Sequence, residues 1–264
     1  MVVSDLHVHL LPGLDDGPAD EDEAIALAAQ LAGDGVGRVA TTPHLRADYP
    51  DVRPDELAAR TAALEERLQR EGIALDLVTA GEVAIEWAVA ASDEDLRLVS
   101  YGQRGQDVLI ETPYGPLPAI FEELLFRITV RGYRVLLGHP ERNHTFQNNP
   151  ERLGRLVEKG VLVQVTASAL ASSERRSRSR RLARDLLRDG QAHVIASDAH
   201  GAIKRAALSR GIAAAGELAP NRAQWMVTEA PEAILTGAPL PEAPVDQPPK
   251  RLGILDRLRR ARAG

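Results

Sequence analysis

Apolar runs short enough for strands alternate with stretches of helical periodicity along most of the chain. Met1 to Leu6, with β-branched Val2 and Val3, predicts a buried strand. Asp20 to Asp34 predicts a helix: Ile25, Ala28, Leu31 and Ala32 share a face, acidic residues crowd the first turn, and Gly35 marks the exit. The next strand, 37–42, ends in Pro43-His44. Pro54 opens a long helix with Leu57, Thr61, Leu64 and Leu68 on one side, closed by Gly72. Leu75 to Ala80 is a third strand ending in Gly81-Glu82, and Asp107 to Ile110 a fourth ending in Glu111. A helix over 117–131, with Ile120, Leu124, Leu125 and Ile128 inward, leads to a strand over 134–138 that ends in His139-Pro140-Glu141-Arg142. A helix over 150–159, a strand over 161–165, a helix over 178–189 and a strand over 192–196 follow, the last ending in Ser197-Asp198-Ala199-His200. Seven such alternations predict an α/β fold with a parallel sheet, arranged as a closed or nearly closed barrel.

From Gly237 the pattern stops. Pro239, Pro241, Pro244, Pro248 and Pro249 predict an extended linker, followed by a short basic segment with Leu252, Ile254, Leu255 and Leu258. The chain is therefore expected to divide into a folded domain, 1–236, and a Pro-rich linker with a basic amphipathic tail, 237–264. The tail reads either as a solvated end or as an anchor for an anionic membrane face or a partner.

Composition narrows the function classes. At 264 residues with 27% charged side chains, the chain can bury one sizeable core as a globular domain. No run approaches the eighteen or so apolar residues of a transmembrane helix, and the N-terminus lacks the pattern of a signal peptide. A cytoplasmic location is expected, with the tail as the feature that would bring it to the inner membrane face. The absence of cysteine excludes disulfides, thiolate metal sites and a cysteine nucleophile. The net charge of -6 is uneven, because residues 250–264 hold Lys250, Arg251, Arg257, Arg259, Arg260 and Arg262 against Asp256 alone. An acidic body with a basic tail argues against a nucleic-acid-binding protein.

The candidate chemistry lies where the strands end. His7 and His9 are two apart, so an extended backbone points both imidazoles to one side. His7/His9, His44, Glu82, Glu111, His139 and Asp198/His200 each fall at the C-terminal end of a predicted strand, the face that carries the site in parallel α/β barrels. With one of Asp15 or Asp16, these nitrogen and oxygen donors are too many for one tetrahedral ion. They suit a cluster of two or three divalent metals, with Mn²⁺, Fe and Zn²⁺ all open. His193, in an apolar strand, reads as structural, and His144 reads as surface or as an edge of the site. Asp15 reads mainly as a turn former beside Gly17.

The motifs D-L-H-V-H, D-D-G-P, T-T-P-H, A-G-E, L-I-E, G-H-P-E-R-N and A-S-D-A-H, in order from residue 1 to about 236, resemble the polymerase-and-histidinol-phosphatase (PHP) superfamily. More narrowly they are similar to its bacterial protein-tyrosine phosphatases of capsule and exopolysaccharide synthesis, the CpsB/CapC/YwqE-like group. That resemblance implies a distorted seven-stranded (β/α)7 TIM-like barrel and a trinuclear, usually manganese, centre. It implies metal ligation by His7, His9, His44, Glu82, Glu111, His139, Asp198 and His200, with Asp16 as ligand or proton donor. It also implies that Arg142 holds the substrate phosphate. The sequence departs from the pattern over Ala84 to Ala91 and Ser168 to Arg178, two regions expected to form lids.

A phosphate monoester dianion repels anionic nucleophiles, so hydrolysis at neutral pH needs the phosphoryl charge cancelled. In-line attack on phosphotyrosine by a metal-bound hydroxide is the expected route. Arg142 would grip two phosphoryl oxygens as a planar fork, and Asp16 would orient the nucleophile or protonate the phenolate. The alternative for Arg142 is an ion pair with Glu141 on a surface turn. Tyr114 and its flanking prolines either wall the pocket or only shape a loop. The resemblance, rather than the residues, implies the substrate: a phosphotyrosine protein, a membrane-associated bacterial tyrosine kinase that controls polysaccharide export. The rivals are a small-molecule phosphomonoesterase such as a histidinol phosphatase, a non-catalytic metal-binding regulator, and a PHP-type exonuclease, the last weakened by the acidic body.

Overall fold

The computed structural model describes residues 1–201 and 208–246; the basic tail lies outside the described residues. The strands are β1 (Ser4–Val8), β2 (Arg38–Thr41), β3 (His44–Leu45), β4 (Asp76–Thr79), β5 (Glu82–Val83), β6 (Asp107–Glu111), β7 (Arg134–Gly138), β8 (Leu162–Thr166) and β9 (Val194–Ala196). Among the described residues every pairing is parallel, in the orders β1-β2-β4 and β3-β5-β6-β7-β8-β9. β3 continues the line of β2, and β5 that of β4, so the nine segments form seven strand lines. The ring closes between its first and last lines through a parallel bridge from Val8 to Ala199. Asp198 N–H donates to His7 O and His9 N–H to Ala199 O, both at 2.9 Å.

The helices between strands form the outer layer: α1 (Glu21–Gly33), α2 (Leu57–Arg70), α3 (Ile85–Ala90), α4 (Asp93–Leu98), α5 (Phe121–Val130), α6 (His144–Asn148), α7 (Pro150–Glu158), α8 (Ala167–Ala171) and α9 (Arg178–Arg188). α10 (Leu208–Gly216), α11 (Pro220–Trp225) and α12 (Glu229–Thr236) follow the last strand. Asp20 caps α1 by accepting from Glu23 N–H at 2.9 Å, and Glu21, Asp22 and Glu23 complement the positive end of its dipole. α2 buries Leu57, Thr61, Leu64 and Leu68, the face expected from its spacing.

Three expectations are corrected. The first strand begins at Ser4 rather than Met1, because Ser4 pairs with Arg38 while Met1 and Val2 are exposed. α1 buries Ala24, Leu27, Ala28 and Leu31, leaving Ile25 only partly covered. α5 starts at Phe121, so Ile120 faces solvent and Phe121 takes the core position, edge-on to Phe146 with ring centroids 6.4 Å apart. The helices α3, α4, α6, α8 and α10 to α12 carried no clear periodicity, since most are a turn or two long.

Two apolar layers result. Strand residues such as Val39, Val108, Ile110, Val135, Val163 and Ile195 pack outward under the helices. Leu6, Ala40, Ala80, Leu109, Leu136, Leu162, Val194 and Ala196 fill the interior, where Tyr101, Ile234 and Leu235 join them. Tyr101 Oη donates to Leu6 O at 2.9 Å and Arg104 Nε to Leu235 O at 2.9 Å, tying this plug to the barrel. The polar cluster sits above this inner layer. Residues 238–246 run without helix or strand, yet Arg134 donates to Ala238 O and Asp246 accepts from Asn221 and Arg222 N–H.

Candidate metal centre

Strand parity places some of the polar groups directly. Glu82 continues the inward-facing series of Val78 and Ala80, and Glu111 follows Leu109, because side chains alternate every residue along a strand. Both carboxylates are buried. The histidines need the backbone to break step. In β1 the register shifts between Asp5 and Val8: Leu6 belongs to the inner layer and Val8 to the outer one, so His7 and His9 are re-aimed inward. His139 (φ 36) and Asp198 (φ 54) occupy the left-handed region just past β7 and β9, an unfavourable conformation for side chains with a Cβ. Such strain concentrates where a constellation must be held.

The result is a buried knot of donors. Glu82 Oε2 lies 3.2 Å from His7 Nε2, 3.2 Å from His9 Nε2 and 3.0 Å from His44 Nδ1. Glu82 Oε1 is 2.8 Å from His139 Nε2. Asp198 Oδ1 is 3.2 Å from His7 Nε2 and 3.6 Å from His9 Nε2, and Glu111 Oε2 is 3.9 Å from His44 Nδ1. Asp16, half exposed, closes the outer edge at 3.5 Å from His44 Nε2 and 3.4 Å from His200 Nε2. The structure thus gathers all nine candidate donors at one end of the barrel.

A further set of residues orients them. Asp15 Oδ2 accepts from His9 Nδ1 at 2.6 Å and from His44 N–H at 3.0 Å, while its Oδ1 takes Gly17 N–H at 3.0 Å. The turn reading of Asp15 therefore describes one oxygen, and the other holds a histidine. A Cβ on Gly17 would come 2.7 Å from His9 O, so this close approach requires glycine. Gln164 Oε1 accepts from His7 Nδ1 at 3.0 Å and from His139 N–H at 3.2 Å. With their Nδ1 atoms engaged, His7 and His9 present Nε2 to the centre, as in metal sites whose ligands are oriented by outer hydrogen bonds. Sequence reasoning passed over Gln164, although a glutamine inside the buried run Val163-Gln164-Val165 needs a polar partner. It also passed over Arg46, two residues beyond His44, whose guanidinium donates to Glu111 Oε1 at 2.9 Å.

Charge is unevenly distributed in this knot. Burial opposes the charged form of His7, but Glu82 and Asp198 hold its pKa up at about 9. Burial dominates at His44, which falls to about 4. It also raises Glu111 to about 7, with help from Glu82. At Asp198 burial is outweighed by His7, His139 and Arg142, leaving about 2. Among the described residues, buried Glu82 Oε2 and His44 Nδ1 have no hydrogen-bond partner. Ligand atoms sharing an ion at about 2.0–2.2 Å stand roughly 3.0–3.6 Å apart, and the pairs around Glu82 Oε2, Asp198 Oδ1 and the His7 and His9 Nε2 atoms, 3.0–3.6 Å, fit that spacing. Among the described residues three groups have their donor atoms within 4.8 Å of one another: His9, Asp16, His44 and His200; His7, His9, Glu82 and Asp198; and His44, Glu82 and Glu111.

Arg142 lies at the mouth, paired with Asp198 Oδ2 at 2.5 Å. Glu141 is not its partner: that carboxylate is buried and accepts from Thr166 N–H at 2.9 Å and Thr166 Oγ1 at 2.6 Å. The Arg46 guanidinium sits between the rings of Tyr49, 5.3 Å away, and Tyr114, 5.9 Å away. Tyr114 is 64% exposed and its ring is 6.5 Å from that of His139, which makes it a wall of the opening. His144 is exposed at the start of α6. His193 accepts from Val163 N–H at 3.1 Å, away from the cluster, and burial lowers its pKa to about 4.

The family model for capsular polysaccharide synthesis, CpsB/CapC, matches residues 3–235. The tyrosine-protein phosphatase YwqE of Bacillus subtilis is 32% identical over 199 residues, 74% of this chain and 76% of its own. The tyrosine-protein phosphatase CpsB of Streptococcus pneumoniae is 26% identical over 201 residues, 74% of this chain and 82% of its own. A chain from the crystal structures of YwqE and CpsB, described as unique metal-dependent tyrosine phosphatases, superposes with a TM-score of 0.80 at 27% identity. It covers 94% of this chain and 100% of that one. A β-aspartyl dipeptidase from Fervidobacterium islandicum shares the fold alone, with a TM-score of 0.55 at 13% identity.

Proposed function

This chain belongs to the CpsB/CapC family of capsular polysaccharide synthesis, and from that premise we propose that it is a metal-dependent protein-tyrosine phosphatase. The observation that carries the reading is Glu82 Oε2, buried and unpartnered among three imidazole nitrogens, with Arg142 at the mouth above. We read His7, His9, His44, Glu82, Glu111, His139, Asp198 and His200 as the residues that hold two or three divalent ions. The donors are nitrogen and oxygen with no thiolate, a set suited to Mn²⁺, our first assignment, and to Fe or Zn²⁺. Such ions supply positive charge to phosphoryl oxygens and lower the pKa of water.

The remaining steps belong to the chain itself. Arg142 is anchored on one side by Asp198, and its planar fork suits two phosphoryl oxygens. Asp16 is close enough to His44 and His200 to share an ion with them, and exposed enough to pass a proton to the leaving phenolate. That phenolate has a pKa of about 10, so its departure depends less on an acid than an alkoxide would. Tyr114 offers the substrate ring an apolar wall. Without cysteine in the chain there is no phosphocysteine route.

The substrate we infer is the phosphotyrosine of a membrane-associated bacterial tyrosine kinase, given the capsule family and the names of the relatives. Among the described residues no helix is long and apolar enough to cross a membrane. Contact with the inner membrane face would fall to the basic tail of 237–264. The test is chelated full-length protein reloaded with Mn²⁺, assayed on a phosphotyrosine peptide and on histidinol phosphate. We expect the peptide to be preferred, and kcat/KM to fall by about 10²–10³-fold in His139→Ala and Arg142→Ala. Preference for histidinol phosphate would replace the protein substrate with a small one; turnover of neither ester would end the phosphatase reading.

A further inference from the structure

Several surface arginines pair with a carboxylate close by in sequence, although exposed Arg70 and Arg155 show no ion pair among the described residues. Arg53, Arg60, Arg67, Arg97, Arg127 and Arg188 each pair with an acid within four residues in sequence, at 2.7–3.1 Å. The segment 174–184 breaks this habit. It reads Glu-Arg-Arg-Ser-Arg-Ser-Arg-Arg-Leu-Ala-Arg, six arginines against Glu174, in a chain whose acids outnumber its bases by 38 to 32. Among the described residues, Arg175, Arg176, Arg178, Arg180, Arg181 and Arg184 have no ion-pair partner. Arg175, Arg176, Arg178 and Arg181 are exposed. Asp185, the acid within reach on the same helix, pairs with Arg188 instead. Burial lowers the pKa of Arg184, and the like charges of Arg180 and Arg188 add to it.

The position is also unusual. Three of these arginines lie in the first turns of α9, at the positive end of its dipole, where cations are disfavoured. No acidic residue stands in its first turn, whereas α1 begins with Glu21, Asp22 and Glu23. In a barrel of this kind the helices begin on the face where the strands end, so both helix starts belong to the rim around the site. The start of α9 is joined to the turn that carries Arg142. Gln147 Nε2 donates to Glu141 O at 2.9 Å, to Arg142 O at 3.3 Å and to Ser179 Oγ at 3.2 Å. Arg180 Nε donates to Ser172 O at 2.8 Å, fixing the preceding loop.

We propose that the arginine-rich start of α9 is a docking rim for an acidic stretch of the protein substrate beside its phosphotyrosine. The inference rests on the phosphatase reading and names what selects among its substrates. Arg178 donates to Asn148 Oδ1 at 3.1 Å, a neutral partner that leaves its charge unmatched. Guanidinium forks without an ion-pair partner bind carboxylates in a planar, two-point fashion, and a row of such charges speeds encounter with an acidic partner. The acidic start of α1, elsewhere on the rim, polarises the opening and gives the docked peptide one orientation.

The test uses the Mn²⁺-loaded full chain, as wild type and as the combined variant Arg175→Gln, Arg176→Gln, Arg178→Gln, Arg181→Gln. Two labelled phosphotyrosine peptides are compared, one with glutamate flanks and one with glutamine flanks, and p-nitrophenyl phosphate is the small control. We expect the wild type to show about a five- to tenfold lower KM for the acidic peptide at low salt, narrowing at high salt. The variant should treat the peptides alike while turning over p-nitrophenyl phosphate as the wild type does. Equal KM values in the wild type, or an undiminished preference in the variant, would overturn the proposal. So would loss of binding to anionic lipid vesicles in the variant with no peptide preference in the wild type, since the rim would then face a membrane. Fluorescence anisotropy of the same peptides reads the preference as Kd without turnover. A failure to hydrolyse any ester is thereby distinguished from a failure to dock.

Discussion

At the closed end of the barrel Asp107 and Arg134 face each other through two hydrogen bonds of 2.5 and 3.0 Å, and Arg134 also donates to Ala238 O at 2.9 Å. At the open end Glu82 is equally buried, yet among the described residues its Oε2 has no hydrogen bond, and three imidazole nitrogens stand within 3.2 Å of it. Both ends bury charge, and burying charge is costly unless it is matched. The closed end answers that cost from within the chain and behaves as structure. The open end holds more donors than its own hydrogens can satisfy, a composition that fits a site completed by something bound. The difference separates a buried ion pair that holds the fold together from a buried cluster kept for chemistry.

The largest expected effect tests the open end. Glu82→Gln should lower kcat/KM by about 10³-fold or more and lower the bound metal measured by elemental analysis, while circular dichroism stays native. Full activity with full metal content would remove Glu82 from the centre. Asp107→Asn should do the reverse: a loss of about 2–4 kcal/mol in urea unfolding, with metal content and kcat unchanged in the folded protein. A change in kcat there would mean that the closed end is coupled to the site. Tyr114→Ala should raise KM for a phosphotyrosine peptide by roughly three- to tenfold and leave a small alkyl phosphate unaffected, an aromatic contact being modest in strength.

An effect confined to low pH concerns His193, which lies outside both ends. Its folded pKa, about 4, is below the ordinary 6.5, so its neutral form is favoured in the folded state. Stability is therefore complete above pH 6.5 and is lost as pH falls from 6.5 through 4, when the unfolded chain takes up the proton first. The melting temperature should fall over that range, and less steeply in His193→Gln. An identical slope in the variant would assign the loss to other groups.

Much of this was legible in one dimension. Period-two and period-3.6 patterns set the order of strands and helices, and the bounds of β7 and the start of α9 agree with them to the residue. The donors other than Asp16 could be read because each stands in the last residues of a strand line or just past it, where chain order alone brings it to the shared face. Short helices such as α3, α6 and α8 could not, since a single turn has no period to detect. Nor could the identity of a partner: Arg142 faces Asp198 rather than its sequence neighbour Glu141, which is held by Thr166 from another strand.

The sequence by itself determined which side chains lie at the strand ends and, through alternation, that Glu82 and Glu111 face inward with the apolar interior. Tertiary structure decided the rest of the constellation. The register shift in β1 turns His7 inward, and the left-handed backbones of His139 and Asp198 aim their side chains against local preference. Asp15 and Gln164 fix which imidazole nitrogen meets the centre, across gaps of 6 and 157 residues. Local propensity disfavours these conformations and is silent on these contacts. They exist because a closed ring of seven parallel strand lines leaves each donor one place to go.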